Sequence, residues 1–190
     1  MAAIIKDIRD PHLPLPEFLV LDASLVLELQ PPTGRQYPKQ IIAQNFLSRL
    51  STESKNNRTF PLLPILALEE CYFKICQRFY ESYCQPGEKW HSHYKQFPNK
   101  IKNIMPALNN FKTLLDAIPV EIIEPEDLSI PPRGKVTLLS TRLLDLIDKF
   151  CVLPKDATIL SDAERLGVFS VATMDGDWNR ADGFVVYTIP

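Results

Sequence analysis

Two runs of residues in the last forty positions decide the fold: Lys155-Asp-Ala-Thr-Ile-Leu-Ser-Asp-Ala-Glu-Arg-Leu-Gly167 and Val171-Ala-Thr-Met-Asp-Gly-Asp-Trp178. In the first run, apolar residues recur at helical spacing until Gly167, and glycine commonly ends a helix. The second run begins as an apolar strand. The sequence therefore predicts a helix with Asp156 at its entrance, followed by a strand with Asp175 at its end.

A third acid follows another apolar run near the start of the chain. Phe18–Leu21 has the composition of a short buried strand, and Asp22 comes directly after it. Open α/β sheets bind their ligands outside the carboxyl ends of the strands, so we expect these carboxylates at one edge of a sheet. Because Mg²⁺ and Mn²⁺ prefer oxygen ligands, the pattern indicates a hard-cation site.

Strands and helices alternate along the chain, which is typical of an α/β fold with a mostly parallel sheet covered on both faces. Strands are predicted at 18–21, 59–63, 120–123, 169–173 and 184–189, and helices at 38–50, 64–83, 111–118, 135–150 and 156–166. Loops are predicted at 30–37, 51–58 and 124–134. No internal repeat is present, so we expect one domain over all 190 residues.

The composition is that of a globular protein. The chain is 45% apolar and 23% charged, and its net charge of −2 disfavours a generally basic nucleic-acid binder while leaving room for a local positive surface. No apolar run approaches the roughly 18 to 20 residues that a membrane span needs, and residues 1–16 have neither a basic start nor a continuous apolar stretch. We therefore expect a cytoplasmic protein with no membrane partner.

Residues 85–110 differ from the rest of the chain because they combine lysines, aromatic residues and prolines. Cations that meet phosphates and rings that stack on bases are typical of surfaces that bind single-stranded nucleic acid. Lys95, Lys100 and Lys102 are therefore candidate RNA ligands. The alternative is a helical flap whose aromatic side chains pack onto the domain.

Histidine and cysteine could supply a different kind of metal site. His91 and His93 lie in the 85–110 segment, where no cysteine ligand is recognised beside them, and we expect both at the exposed surface. The cysteines lack the paired spacing of zinc sites and are expected to be buried or incidental thiols: Cys71, Cys76, Cys84 and Cys151.

Four blocks, taken in order, resemble the signature of PIN-domain ribonucleases, the group that includes VapC-like toxins. They are Phe18-Leu-Val-Leu-Asp-Ala-Ser24, a glutamate in the helix predicted from residue 64, Asp156-Ala-x-Ile-Leu-x-x-Ala-x-x-x-Gly167, and Thr173-x-Asp175. The resemblance extends from residue 18 to about residue 189, apart from an insertion at about 85–110. It implies a three-layer α/β/α fold.

The resemblance also implies hydrolysis of RNA phosphodiester bonds with Mg²⁺ or Mn²⁺ held by four catalytic acids. Carried over to this chain, the acids are Asp22, Glu70, Asp156 and Asp175. The first and last would bind metal directly, and the other two directly or through water.

Three further residues are assigned supporting roles. Ser24 and Thr173 match small hydroxyl positions that in the family support the first and fourth acids. Asp177 is a candidate supporting acid.

The second acid has two candidates, because Glu69 and Glu70 are adjacent and lie about 100° apart on a helix. In the family pattern, an apolar residue stands two positions before the acid and another directly follows it. Glu70 has Leu68 and Cys71 at these positions, whereas Glu69 has Ala67 and a second glutamate. We favour Glu70 and keep Glu69 as the alternative.

Each acid also has an ordinary structural explanation. Asp22 could form a turn or a cap, Asp156 could cap its helix, and residues 175–177 could form a simple turn. Asp162 lies six residues after Asp156 and off its helical face, so we expect a solvated or capping charge there.

Other functions fit the pattern less well. A phosphatase of the haloacid-dehalogenase type also has an aspartate after its first strand, but it needs a second aspartate two residues later, where this chain has Ser24. The stronger alternative is a catalytically silent PIN-like module that binds RNA or a protein. For the enzyme, the expected partner is single-stranded RNA, and an antitoxin, another protein or a second copy of the chain stays open. A toxin is a subcase of the enzyme.

Overall fold

The computed structural model describes residues 2–30, 37–124 and 139–190. At its centre is a six-stranded sheet in which all neighbouring strands run parallel, in the order β1-β6-β5-β2-β3-β4. The strands are β1 (Ile4–Asp7), β2 (Phe18–Leu21), β3 (Phe60–Pro64), β4 (Glu121–Ile123), β5 (Ser170–Ala172) and β6 (Val185–Thr188). The predicted α/β class with a parallel sheet is confirmed.

Seven α-helices accompany these strands in the described residues. They are α1 (Ala23–Val26), α2 (Pro38–Lys55), α3 (Ile65–Glu81), α4 (Trp90–Gln96), α5 (Met105–Asp116), α6 (Leu139–Phe150) and α7 (Pro154–Leu166). Short 3₁₀ segments include Leu27–Leu29, Pro98–Ile104 and Gly176–Arg180. Proline begins α2 and α7, where the missing N–H costs no helical bond. Gly167 ends α7 with a φ of 71°, a left-handed conformation that glycine adopts without strain.

The chain adds strands to the sheet first on one side of β2 and later on its other side. From β2 the chain builds β3 and β4 on one side, and it later places β5 and β6 on the other side. Leu21 pairs with Ala172, so β2 and β5 end at the same level. The gap between their carboxyl ends is the topological switch point, where open α/β sheets bind ligands.

One strand was not anticipated by the pattern of the sequence. β1 has four residues, Ile4 is 59% exposed, and the other three residues are half-buried. Among the described strands, it pairs only with β6 and forms an edge of the sheet. An edge strand of this kind needs no continuous apolar run, so its sequence carries little strand signal.

Helix α2 runs further than predicted, into the segment expected to be a polar loop from residue 51. Ser51 and Ser54 are buried there, and their hydroxyls donate to the carbonyls of Ala117 and Pro119, each at 3.1 Å. Polar residues continue the helix because these long-range hydrogen bonds satisfy them. Most of the two other predicted loops, at 30–37 and 124–134, lies outside the described residues.

The 85–110 insertion is helical and packs against α3. The ring centroids of Trp90 and Phe73 are 5.5 Å apart, and those of Tyr94 and Tyr80 are 5.4 Å apart. Helix α5 begins at Met105, before the predicted residue 111. These contacts agree with a helical flap, while the role of its lysines in RNA binding stays a prediction.

Buried apolar side chains from the sheet and the helices form one cluster. Its largest fully buried members include Trp178, Tyr80, Phe46 and Phe111, so helix α5 is anchored in the same core as the sheet. None of the described helices is long and apolar enough to cross a membrane.

Candidate carboxylate site

Asp22 lies at the carboxyl end of β2, and backbone bonds fix its position. Its N–H donates to the carbonyl of Ala172 at 2.9 Å, which extends the pairing of β2 with β5. Its side chain caps α1 by accepting from the N–H of Ser24 at 3.3 Å. Only 4% of Asp22 is exposed, and burial raises the pKa of its carboxyl above the ordinary value. Asp22 therefore caps α1, as the ordinary structural explanation expects, but a capping acid does not need to be buried.

Two hydroxyls hold one oxygen of this carboxylate. Ser24 Oγ and Thr173 Oγ1 donate to Asp22 Oδ2 at 2.5 and 2.7 Å. Each hydroxyl also accepts a backbone N–H at 2.9 Å, from Met174 and Asp175 respectively. These bonds favour the ionised form of Asp22 and so oppose the effect of burial on its pKa. The two hydroxyls and the N–H of Ser24 all donate to Oδ2, so none of these three hydrogen bonds uses Oδ1.

Asp175 and Asp177 follow β5 and are both exposed. Asp175 caps the 3₁₀ segment that follows, since its Oδ1 accepts from the N–H of Asp177 at 2.9 Å. Asp177 forms an ion pair with Arg180 at 2.6 Å. Its charge is therefore already balanced by a cation of its own segment.

The two adjacent glutamates of α3 have different surroundings. Glu69 is exposed, whereas Glu70 is half-buried. Glu70 Oε2 lies 3.7 Å from Lys155 Nζ at the start of α7. The negative charge of Glu70 also helps to raise the pKa of Asp156. The geometry therefore favours Glu70 over Glu69 as the acid that faces the other carboxylates.

Asp156 is half-buried in the first turn of α7, whose N-cap is Leu153. Burial raises the pKa of Asp156 to about 6, and the charges of Asp22, Asp175 and Glu70 act in the same direction. A hydrogen bond to the backbone of Leu153 acts the other way. Coulombic effects weaken with distance, so all four acids lie near enough to influence one ionisation.

The four carboxylates are neighbours without forming a tight ligand set. Among the residues that the structure describes, no three of them place ligand atoms all within 4.8 Å of one another. Mg²⁺ retains several of its waters and is usually held by only one or two carboxylates. In this cluster three acids add to the raised pKa of Asp156, and two hydroxyls hold one oxygen of Asp22. The arrangement therefore fits a hydrated hard cation that some of the acids reach through water.

A cleft of about 380 Å³ opens beside the cluster, and the residues that line it include Ser24, Glu28, Lys74, Arg78, Glu81 and Met174. Lys74 and Arg78 follow Glu70 by four and eight residues, so they lie on the same face of α3. The sequence prediction omitted these two cations and Lys155. Their helical spacing from Glu70, and the position of Lys155 directly before Asp156, are the signals that could have found them.

The expectation for Asp162 was wrong. This residue is 9% exposed and lies 3.9 Å from Arg165, and burial raises the pKa of its carboxyl to about 6. The expectation considered only the helical face that carries Asp156. Ser161 and Ala163 on either side are buried as well, so α7 is covered on more than one face.

The residues of the insertion also have unequal surroundings. Lys95 and Lys102 are exposed, whereas Lys100 is half-buried with its Nζ 3.1 Å from His93 Nε2. His91 is exposed, as expected. The same expectation was wrong for His93, which is only 7% exposed because α4 packs against α3.

Neither a protein-family model nor a curated protein matches this chain. A parallel α/β sheet supports many unrelated activities, so the fold alone does not identify one. The function must be inferred from the carboxylate cluster and the groups around it.

Proposed function

We propose that this protein is an endoribonuclease of the PIN-domain type, with the three-layer arrangement of that group, and that it uses Mg²⁺ or Mn²⁺. One observation carries the proposal: Thr173 links the two acids at the neighbouring strand ends, because its hydroxyl donates to Asp22 Oδ2 at 2.7 Å and accepts from the N–H of Asp175 at 2.9 Å. Glu70 and Asp156 complete the cluster, since the charges of Asp22, Asp175 and Glu70 add to the effect of burial on the pKa of Asp156. These acids come from two strand ends and two helices around the switch point of the sheet. Burial and these neighbouring charges oppose the ionisation of Asp156, and a divalent cation would offset that opposition.

The side chains of the cluster have separable roles in this mechanism. When bound, the divalent ion would activate a water and neutralise charge on the phosphoryl oxygens. Asp22 and Asp175 would hold the ion, and Glu70 and Asp156 would hold it directly or through water. The hydroxyls of Ser24 and Thr173 keep Asp22 Oδ2 fixed, so that Oδ1 keeps a constant direction.

Cations beside the cluster support RNA as the substrate. The Lys155 side chain is 49% exposed, and its Nζ forms a long ion pair with Glu70 Oε2 at 3.7 Å. If Glu70 held a divalent cation, Lys155 beside it would be available to a phosphate oxygen. Lys74 and Arg78 line the adjacent cleft on α3, where Glu28 and Glu81 supply an equal number of negative charges. The backbone of a single strand could follow this cleft into the site.

The proposal is tested by cleavage of an end-labelled single-stranded RNA with Mn²⁺, with Mg²⁺ and with EDTA. Asp22→Asn and Asp175→Asn should each lower the rate by roughly 100-fold or more while the far-ultraviolet circular dichroism stays unchanged. Asp145→Asn is the matched control, because Asp145 is an exposed acid on α6.

Full activity of both variants, with contaminating nuclease excluded, would refute the proposal. Wild-type protein that binds RNA but never cleaves it would instead identify the catalytically silent module. Growth arrest on expression, relieved by the product of a small neighbouring gene, would identify the toxin subcase.

A further inference from the structure

Cys84, Glu88 and His93 form a second group of metal-ligating side chains, at the junction of α3 with the insertion. One ligand atom from each lies within 4.8 Å of the other two, and no other group of three in the described residues does so. Cys84 follows the end of α3, Glu88 precedes α4, and His93 lies inside α4. Gly87 has a φ of 86°, which allows the chain to turn back between them. One tight turn therefore brings three different donors together.

The imidazole of His93 is held in a defined orientation. The ring of Tyr83 lies nearly parallel to it, at an interplanar angle of 12°, and the centroid of Phe97 is 4.9 Å away. Nδ1 of His93 is 3.2 Å from Glu88 Oε1. The N–H of Gln85 donates to Glu88 Oε2 at 3.0 Å, which leaves Oε1 directed at the ring. Two of the three donor atoms are thus already fixed next to each other.

The third donor is the half-buried thiol of Cys84, whose Sγ lies 3.3 Å from the carbonyl oxygen of Tyr80. Zinc bonds sulfur at about 2.3 Å and nitrogen or oxygen at about 2.0 Å, so neighbouring ligands of a tetrahedral ion lie roughly 3.3–3.5 Å apart. Donor atoms within 4.8 Å of one another therefore need to close by little more than about 1 Å. Rotation of the Cys84 and Glu88 side chains can supply this movement.

We propose that Cys84, Glu88 and His93 bind Zn²⁺ at a site separate from the carboxylate cluster. A thiolate and an imidazole select a borderline-soft ion, whereas Mg²⁺ and Mn²⁺ select oxygen. Binding deprotonates the Cys84 thiol and releases its proton to solvent. Three protein ligands leave the fourth position to water, and the bound ion ties the end of α3 to α4.

In the metal-free protein, a hydrogen bond from Lys100 to His93 competes with zinc binding. Its Nζ is 3.1 Å from His93 Nε2, so without metal Nε2 accepts from Lys100 and the Nδ1–H donates to Glu88. Zinc at Nδ1 places the ring proton on Nε2, and the ammonium of Lys100 can no longer donate there. Lys100 already lies 4.7 Å from the Tyr83 ring and 4.6 Å from the Phe97 ring, which hold it after that bond is broken.

The test uses CoCl₂, because Co²⁺ occupies zinc sites and a thiolate ligand gives it a near-ultraviolet charge-transfer band. Titration of the reduced, full-length protein should produce this band, which reports only the ion bound to thiolate, and Zn²⁺ should bleach it. Cys84→Ser should abolish the band. Cys151→Ser, which removes an exposed thiol, should leave it unchanged. Asp22→Asn should also leave it unchanged, so the result does not depend on ribonuclease activity.

Absence of the band from the wild-type protein, or its survival in Cys84→Ser, would overturn the proposal. Glu88→Gln provides a second measurement should Cys84→Ser fail to fold. With its circular dichroism unchanged, Glu88→Gln should weaken Zn²⁺ binding by about 10-fold or more in competition with a chromophoric chelator. An unchanged zinc affinity in Glu88→Gln would also overturn it.

Discussion

Asp156→Asn should stabilise the metal-free protein at neutral pH, although it removes a proposed catalytic acid. In the folded protein, burial and the neighbouring carboxylates raise the pKa of Asp156 from 3.8 to about 6. A carboxyl with a raised folded-state pKa favours the folded state only when it is protonated. Its ionisation therefore reduces stability as the pH rises from about 4 to about 6, and that reduction persists at neutral pH.

The size of the effect follows from the shift in pKa. A shift of roughly two units corresponds to about 3 kcal/mol, at about 1.4 kcal/mol for each unit. Asp156 is only half-buried, so solvent screening lowers the expected gain to about 1–2 kcal/mol.

The assay is urea unfolding with EDTA present, at about pH 7.5 and about pH 4. The variant should be more stable than the wild type at the higher pH and nearly equal to it at the lower pH. Asp145→Asn is the control, because it removes an exposed acid from α6. Adding Mn²⁺ should stabilise the wild type more than Asp156→Asn. Equal or lower stability of Asp156→Asn at about pH 7.5 would refute the electrostatic reasoning, and so would a gain of the same size at about pH 4.

Three other predictions concern residues whose surroundings differ from those of Asp156. Glu70→Gln should lower the rate of RNA cleavage far more than Glu69→Gln, because of the two glutamates it is Glu70 that pairs with Lys155 and raises the pKa of Asp156. The reverse ranking would identify Glu69 as the second acid. Asp162→Asn should raise the melting temperature at neutral pH, with the gain vanishing near pH 4 and insensitive to Mn²⁺, since burial raises the pKa of Asp162 to about 6. Replacing both Lys95 and Lys102 with alanine should weaken the binding of a labelled single-stranded RNA. The slope of log affinity against log salt should fall by roughly 0.7 for each phosphate that is no longer neutralised. An unchanged slope would indicate that the insertion is a structural flap.

The carboxylate cluster could be predicted because it follows from the direction of the strands. Parallel strands end at a common edge, so an aspartate after each of two neighbouring strands must come close to the other. In the structure, the pairing of Leu21 with Ala172 places the ends of β2 and β5 side by side. Small hydroxyl residues next to those strand ends, Ser24 and Thr173, then reach Asp22.

Features that depend on long-range packing could not be predicted in the same way. The burial of Asp162 depends on what covers the second face of α7, and that is not encoded in the spacing of α7 itself. Likewise, Cys84 and His93 meet only because the chain reverses at Gly87 and α4 packs against α3. Neither residue has a recognisable zinc spacing, so the sequence alone indicated an incidental thiol and a surface imidazole.

The strand order also has a consequence for how the protein reaches its native state. β2, β3 and β4 are close in sequence, whereas β1 must wait for β6, with Ile4 paired to Val185. Contacts over such separations close slowly, so a newly made chain should assemble the half that carries Asp22 and Glu70 before Asp156 and Asp175 arrive. The charges of Asp22, Asp175 and Glu70, which disfavour the ionised form of Asp156, then oppose the last step of folding. A divalent cation added during refolding should therefore act on this last step, in which β5, β6 and β1 join a sheet of β2, β3 and β4 that has already formed.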